Sequence, residues 1–168
     1  MKFGKLQPQG KVEFDGYQEL MNWTSAGSES SVSLTVDGDT DMEYVIEARN
    51  LNPTYSISMR FNNDSGNNYG YQRLLNSGGS ISANRNSGSA CNLAMESCYS
   101  IKTLSVLNGL IKIDNMFNNT YSSGTTIGLL ILWGFVYNST SNITSIIFAT
   151  EGNFTAGTNI RVLGRRAR

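Results

Sequence analysis

The chain contains no histidine. That removes the Ser-His-Asp triad, the Cys-His pair and imidazole ligation of zinc or haem. Only two cysteines occur, Cys91 and Cys98, too few for a disulfide framework or a four-thiolate metal site. Their spacing allows either a local disulfide or two buried thiols. Proline is equally scarce, at Pro8 and Pro53, so nearly all of the backbone can join hydrogen-bond ladders. Charged residues make up 15% of the chain, with 13 Lys plus Arg against 13 Asp plus Glu and a formal net charge of zero. A basic excess that would drive nucleic-acid binding is missing. The most apolar run, Ile127 to Val136, is short and interrupted by Gly128 and Gly134, which suits a buried strand and not a bilayer-spanning helix. The opening MKFGKLQPQGKVEF has no apolar signal core, so nothing points to classical secretion. No nucleic acid, no membrane insertion and no cofactor are expected.

What fills the space is Ser, Thr, Asn and Gly, together 70 of the 168 residues, against 39% hydrophobic residues. That is the composition of short strands joined by many turns, with enough apolar material for a core. Period-two alternation recurs along the chain. It is clear in SVSLTV (31–36), MEYVIEAR (42–49) and TYSISMRF (54–61). It recurs in YQELMNW from Tyr17, YGYQRLL from Tyr69, YSIKTLSVL from Tyr99 and GLIKIDNMF from Gly109. IGLLILWGFVY from Ile127, NITSIIFA from Asn142 and TNIRVLG from Thr158 complete about ten strands at the spacing of a sandwich or barrel. The connections include DGDTD (37–41), NNDSGNN (62–68), a Gly/Ser/Asn-rich segment from Asn76 to Ser89, NSTSN (138–142) and EGNFTAG (151–157). No amphipathic helix and no fixed-period repeat is present.

The fold expected is therefore all-β: one antiparallel β-sandwich of jelly-roll type over residues 17–168, preceded by a short extended N-terminal arm, residues 1–16. Its expected core is Leu34, Ile46, Ile57, Phe61, Leu104, Ile111, Leu130, Leu132, Ile146, Phe148 and Leu163. The arm mixes Lys2, Lys5, Lys11 and Gln7 with Phe3, Leu6 and Phe14, which suits an extended segment ordered on a partner. The candidate docking residues are Phe3, Lys5, Leu6, Lys11 and Phe14.

Reactive chemistry is hard to find. Asp37, Asp39 and Asp41 stand at alternate positions, as calcium ligands do, but an EF-hand needs glycine and glutamate where Met42 and Ala48 stand. A hairpin turn accounts for them. Glu13, Asp15 and Glu19 look like a solvated face and not a glycosidase pair, and no phosphate loop occurs. The chain is expected not to be an enzyme. The loop at 62–68 admits two readings: a rigid, self-bonded turn, or a glycan-contact loop made of Asn62, Asp64, Asn67, Asn68, Tyr69 and Tyr71. In strands, Tyr69 and Tyr71 share one face, and so do Trp133 and Tyr137; such aromatics form a sugar platform, a core or a subunit interface.

Two segments carry more specific information. MRFNNDSGNNYGYQ (59–72) contains Arg60, Phe61, Asn62, Asp64, Gly66, Asn68 and Tyr69 in the pattern RFNxDxGxNY. SNITSIIFATEGNFTAGTNIRVLGRR (141–166) contains Ile143, Thr144, Ser145, Ile146, Gly152, Asn153, Phe154, Ala156, Gly157, Thr158, Ile160 and Gly164 in the pattern ITSIxLxxxxGNFxAGTxIxLYG. Over roughly residues 17 to 164 the chain resembles a group of tailed-bacteriophage virion proteins that pair these two patterns. It departs from them at Val162-Leu163, where Leu-Tyr is frequent, and in the basic tail after Gly164. Independently of the resemblance, Gly152 and Gly157 suit tight turns and Phe154 suits a plug at one end of a sandwich.

The resemblance implies a structural protein on the particle exterior, made in the bacterial host cytoplasm. One version decorates the head and stabilises the capsid. The alternative is a tail or fibre component, or a receptor-binding module, that recognises host-surface glycans. A homo-oligomer, a trimer by analogy with viral jelly rolls, is expected, because GLLILWGFVY is apolar on both faces and needs cover on both. Other virion proteins are the expected partners.

Overall fold

The computed structural model describes residues 16–77, 80–94, 98–106, 112–114, 121–122 and 130–167. The described residues form thirteen strands and no helix. In chain order they are β1 (Gln18–Thr24), β2 (Ser31–Thr35), β3 (Met42–Arg49), β4 (Ile57–Phe61), β5 (Tyr69–Ser77), β6 (Ser80–Gly88) and β7 (Cys91–Ala94). There follow β8 (Cys98–Val106), β9 (Lys112–Asp114), β10 (Tyr121–Ser122), β11 (Leu130–Tyr137), β12 (Ser145–Ala149) and β13 (Asn159–Arg166). They pair in three sheets of order β1-β13-β3-β8-β10, β2-β12-β4-β7 and β6-β5-β11-β9. Every pairing is antiparallel.

The alternation read in the sequence becomes alternate burial. Tyr44, Ile46 and Ala48 of β3 and Ile160 and Val162 of β13 turn inward from the first sheet. Ile57, Met59 and Phe61 of β4 and Ile146 and Phe148 of β12 turn inward from the second, and all of them join one buried cluster. Fully burying a Val, Ile, Met or Phe side chain, as these strands do, stabilises by roughly 1.5–3 kcal/mol each. On the outward face of the first sheet, charges pair across strands: Arg161 with Glu19 at 2.7 Å and Glu47 at 3.5 Å, and Arg165 with Glu43 at 2.6 Å.

The third sheet is made of two excursions from these layers. β5 and β6 lie between β4 and β7 in the chain, and β9 and β11 lie between β8 and β12. Its inner end meets the core through Tyr69, Phe135 and Tyr137, which are buried, while Leu74 and Ile81 further out are exposed.

Several expectations need correction. The segment from Asn76 to Ser89 is not a connection: β5 runs on to Ser77, and Ser80–Gly88 is β6, paired with β5 from Ser77↔Ser80 to Tyr69↔Gly88. Polar side chains hide such a strand because the backbone ladder, and not a buried face, holds it. Leu34 is only partly buried at the edge of the core, because β2 is an edge strand. Leu132 is not in the core either, since the alternation of β11 turns Trp133, Phe135 and Tyr137 inward and Leu132 to the other face. Of the other expected core residues, Ile111 lies outside the described residues, as does the side chain of Leu130.

Candidate functional site

The loop between β4 and β5 starts with two consecutive asparagines in left-handed backbone, Asn62 at φ 53° and Asn63 at φ 56°. Asparagine tolerates this region better than other non-glycine residues. The turn brings the Asn62 side chain against the segment that leads into β12. There its Oδ1 accepts from the Thr144 N–H at 2.8 Å, the Thr144 hydroxyl at 3.2 Å and the Ser145 N–H at 3.3 Å. Its Nδ2 donates to the Asn142 carbonyl at 2.7 Å. One side chain thus ties the first motif of the sequence to the second.

Asp64 is the loop's other organising residue. Its carboxylate accepts from the Gly66 N–H at 2.7 Å, Asn68 Nδ2 at 2.9 Å and the Tyr137 hydroxyl at 2.8 Å. Those donors, the Asn68 amide foremost, hold the carboxyl below its usual range. Burial, with the bond to Asp64, pushes the Tyr137 phenol up. The Tyr69 hydroxyl accepts from the Phe61 N–H at 2.9 Å and donates to the Asp64 carbonyl at 3.2 Å. Asn67 Nδ2 donates to the Ser87 hydroxyl at 3.1 Å, and the Asn138 N–H donates to the Asn68 carbonyl at 2.8 Å.

Beneath the loop lies a ring cluster. Tyr69 and Tyr137 stack at 4.9 Å, and Phe61 lies 5.2 Å from Tyr137, 6.2 Å from Tyr69 and 6.4 Å from Phe135. Further along the same face Tyr71 packs on Trp133 at 5.3 Å, with the Arg73 guanidinium 5.5 Å over the indole. Register explains the grouping: Tyr137 opposes Tyr69, Phe135 opposes Tyr71 and Trp133 opposes Arg73. The two aromatic pairs expected from the sequence therefore share one face. Lys102 was not anticipated. It is fully buried, its Nζ lies 5.0 Å from the Phe135 ring, and it donates to Cys91 Sγ at 3.0 Å. Its only signal in the sequence is its inward place in the alternation of YSIKTLSVL. Cys91 is a buried thiol.

Of the six candidate glycan-contact residues, Tyr69 has to be withdrawn: it has no exposed surface, and its hydroxyl is engaged on the backbone. Asn62, Asp64 and Asn68 are brought together, but each holds the turn or a neighbouring strand. Asn67 is exposed, and Tyr71 is half-buried against Trp133. The loop is a brace joining β4, β5, β11 and the approach to β12. Phe3, Lys5, Leu6, Lys11 and Phe14 lie outside the described residues.

The second motif is structural in the same sense. Phe154 is buried and meets Trp23 edge-on at 5.0 Å, and its N–H donates to the Glu29 carbonyl at 2.8 Å. Gly157, at φ 85°, donates to the Ser25 carbonyl at 2.9 Å. Where Gly152 stands, a side chain would run into the Tyr55 ring. The three aspartates at 37–41 form a turn: Asp37 accepts from the Asp39 N–H at 3.0 Å and the Thr40 hydroxyl at 2.7 Å. Among the described residues no group of three His, Cys, Asp or Glu side chains could hold a metal.

Comparisons with family models, with curated proteins and with solved structures return no match.

Proposed function

We propose that the chain is a jelly-roll β-sandwich that serves as a non-enzymatic structural protein on the exterior of a tailed-phage particle, decorating the head and stabilising the capsid. The observation that carries the reading is strand order. Setting aside β5, β6 and β9–β11, the remaining eight strands run β1-β13-β3-β8 in one sheet and β2-β12-β4-β7 in the other. Successive strands divide between the sheets in the pairs β1/β2, β3/β4, β7/β8 and β12/β13. That order supports a jelly-roll reading of the sandwich, a fold frequent in viral capsid and lectin domains. Fold alone does not assign function. The specific support is that the residues carrying the resemblance are structural: Asn62 ties the β4–β5 loop to the approach to β12, and Phe154 and Gly157 fix the β12–β13 connection against Trp23 and Ser25.

In this reading residues 1–16 form the arm that docks onto neighbouring capsid subunits, and three copies assemble around a threefold axis. The decisive measurement is copy number per particle, by quantitative gel or cryo-microscopy. A number matching the capsid lattice supports head decoration. A number matching the tail assigns the protein to a tail or fibre and overturns the head reading. Deleting residues 1–16 should abolish incorporation into particles while the sandwich stays folded. Light scattering of the purified protein should give a trimer, and a monodisperse monomer would count against the threefold assembly.

A further inference from the structure

Two glycines in the third sheet have no conformational reason to be there. Gly70 lies in β5 and Gly134 in β11, both inside regular strands, and neither belongs to the positive-φ glycines Gly16, Gly27 and Gly157. Glycine weakens a strand interior, and where φ does not demand it, it marks a place where something approaches the backbone closely. Register makes the two diagonal neighbours: Gly70 opposes Val136, and Gly134 opposes Gln72. Beyond β5, Ser87 opposes Gly70 and Arg85 opposes Gln72. Two adjacent rows, Ser87–Gly70–Val136 and Arg85–Gln72–Gly134, therefore leave a low place on the sheet face at the two glycines, with Val136 leaning over Gly70. The patch lies on the face opposite the ring cluster. A groove of about 380 Å³ lies there, lined by Gly70, Gly134, Val136, Gln72 and Arg85 among others. A Cβ at Gly70 would stand 3.1 Å from Val136 Cγ1, so glycine here makes room for that side chain.

The chemistry of the rim narrows the ligand. Arg161 and Arg165 are paired with carboxylates, whereas Arg85 is exposed and, among the described residues, has no acidic partner. Gln72 beside it is also exposed. We infer that this groove binds a carboxylate-bearing saccharide. The flat C–H face of the ring lies on the glycine floor and Val136, the carboxylate meets the Arg85 fork, and a hydroxyl bonds the Gln72 amide. A larger apolar ligand would find too shallow a floor, and a polyanion such as nucleic acid would find one cation on a neutral chain. The inference does not depend on where in a particle the protein sits.

The test is calorimetric titration of the full chain with short galacturonate oligomers and with neutral galactose oligomers of equal length. Binding should favour the acidic oligomer by about tenfold or more, the worth of one charge-assisted bidentate contact. Arg85→Ala, at an exposed position, should remove that preference with an unchanged far-ultraviolet spectrum, and Gly134→Val should abolish binding by filling the floor. If Gly134→Val fails to fold, Arg85→Ala alone decides. Absence of binding to the wild type, equal affinity for the neutral oligomer, or an Arg85→Ala variant that binds as the wild type does would each overturn the inference.

Discussion

Along β4 and β12 burial alternates residue by residue, whereas β6 is exposed on both faces from Ser80 to Ser87. Both kinds of strand have antiparallel ladders of comparable regularity. The difference lies in what covers them. In the two sheets around the core, one face of each inner strand is removed from water by the opposite sheet. The outer half of the third sheet has no such cover among the described residues, and its order comes from the backbone ladder and from the aromatic anchor at its inner end. Residues of the first kind are held to their identity by packing. Those of the second, exposed on both faces, should change at little cost to folding, which leaves them open to form a contact surface.

The sharpest way to test this contrast is to damage the anchor that both regions share. Phe61 is fully buried and touches Tyr69, Phe135 and Tyr137, so it belongs to the core and to the root of the third sheet at once. Phe61→Ala should cost about 3–5 kcal/mol in urea unfolding. A loss below about 1 kcal/mol would mean that the ring cluster is not load-sharing between the two regions.

A smaller effect is expected at Asn62, where backbone conformation and side-chain bonding can be separated. Asn62→Ala loses the contacts to Thr144, Ser145 and Asn142 and also meets the penalty for a left-handed residue with a Cβ. Its cost should be about 2–3 kcal/mol. Asn62→Gly keeps the conformation and loses only the bonds, so it should lie between the alanine variant and the wild type. Equal losses for the two would show that the left-handed backbone at this position carries no strain.

Acid should act on the turns and not on the core. Hydrogen bonds hold the carboxyls of Asp64, Asp37 and Glu29 below their ordinary range: the Asn68 amide first for Asp64, the Thr40 hydroxyl first for Asp37, and its own backbone N–H first for Glu29. In the unfolded chain these groups take up protons at about pH 4, before the folded protein does. Their contribution is therefore present above that range and is lost as pH falls through the depressed folded values. Unfolding measured across a pH series should show stability declining on acidification, and Asp64→Asn should flatten that decline. An Asp64→Asn protein with the wild-type slope would remove Asp64 from the account.

Much of this was legible in the sequence, and the omissions have a common cause. MEYVIEAR marked β3 to the residue because its inward Tyr44, Ile46 and Ala48 alternate with Glu43 and Glu47. The self-bonded reading of the Asn/Asp loop was open to sequence reasoning because asparagine and aspartate cap their own backbone. What could not be read was pairing across distance. Nothing local places Asn62 against Thr144, or Tyr137 against Asp64, since these contacts join residues separated by 82 and 73 positions. β6 escaped because SISANRNSG has no buried face; its one signal in the sequence was the dipeptide Gly78-Gly79 before it, a pair typical of two-residue hairpins. β7 escaped because CNLA is shorter than any reliable period.

The smallest expected effect is the one that isolates the outer third sheet. Ile81 is 73% exposed and, with Leu74, Asn76 and Leu132, lines a shallow cavity of about 130 Å³. By residue type alone, Ile81→Ser should resemble a core truncation. By position it removes little buried area, and serine suits a strand whose other members are mostly Ser and Asn. Its effect on unfolding should stay within about 0.5 kcal/mol of the wild type. A loss of 2 kcal/mol or more, about the size of a core truncation, would mean that Ile81 is covered in solution. Repeating the measurement over a range of protein concentrations would then identify the cover. A loss that grows with concentration places a second copy on this surface, because association stabilises by mass action, whereas one independent of concentration places another part of the same chain there.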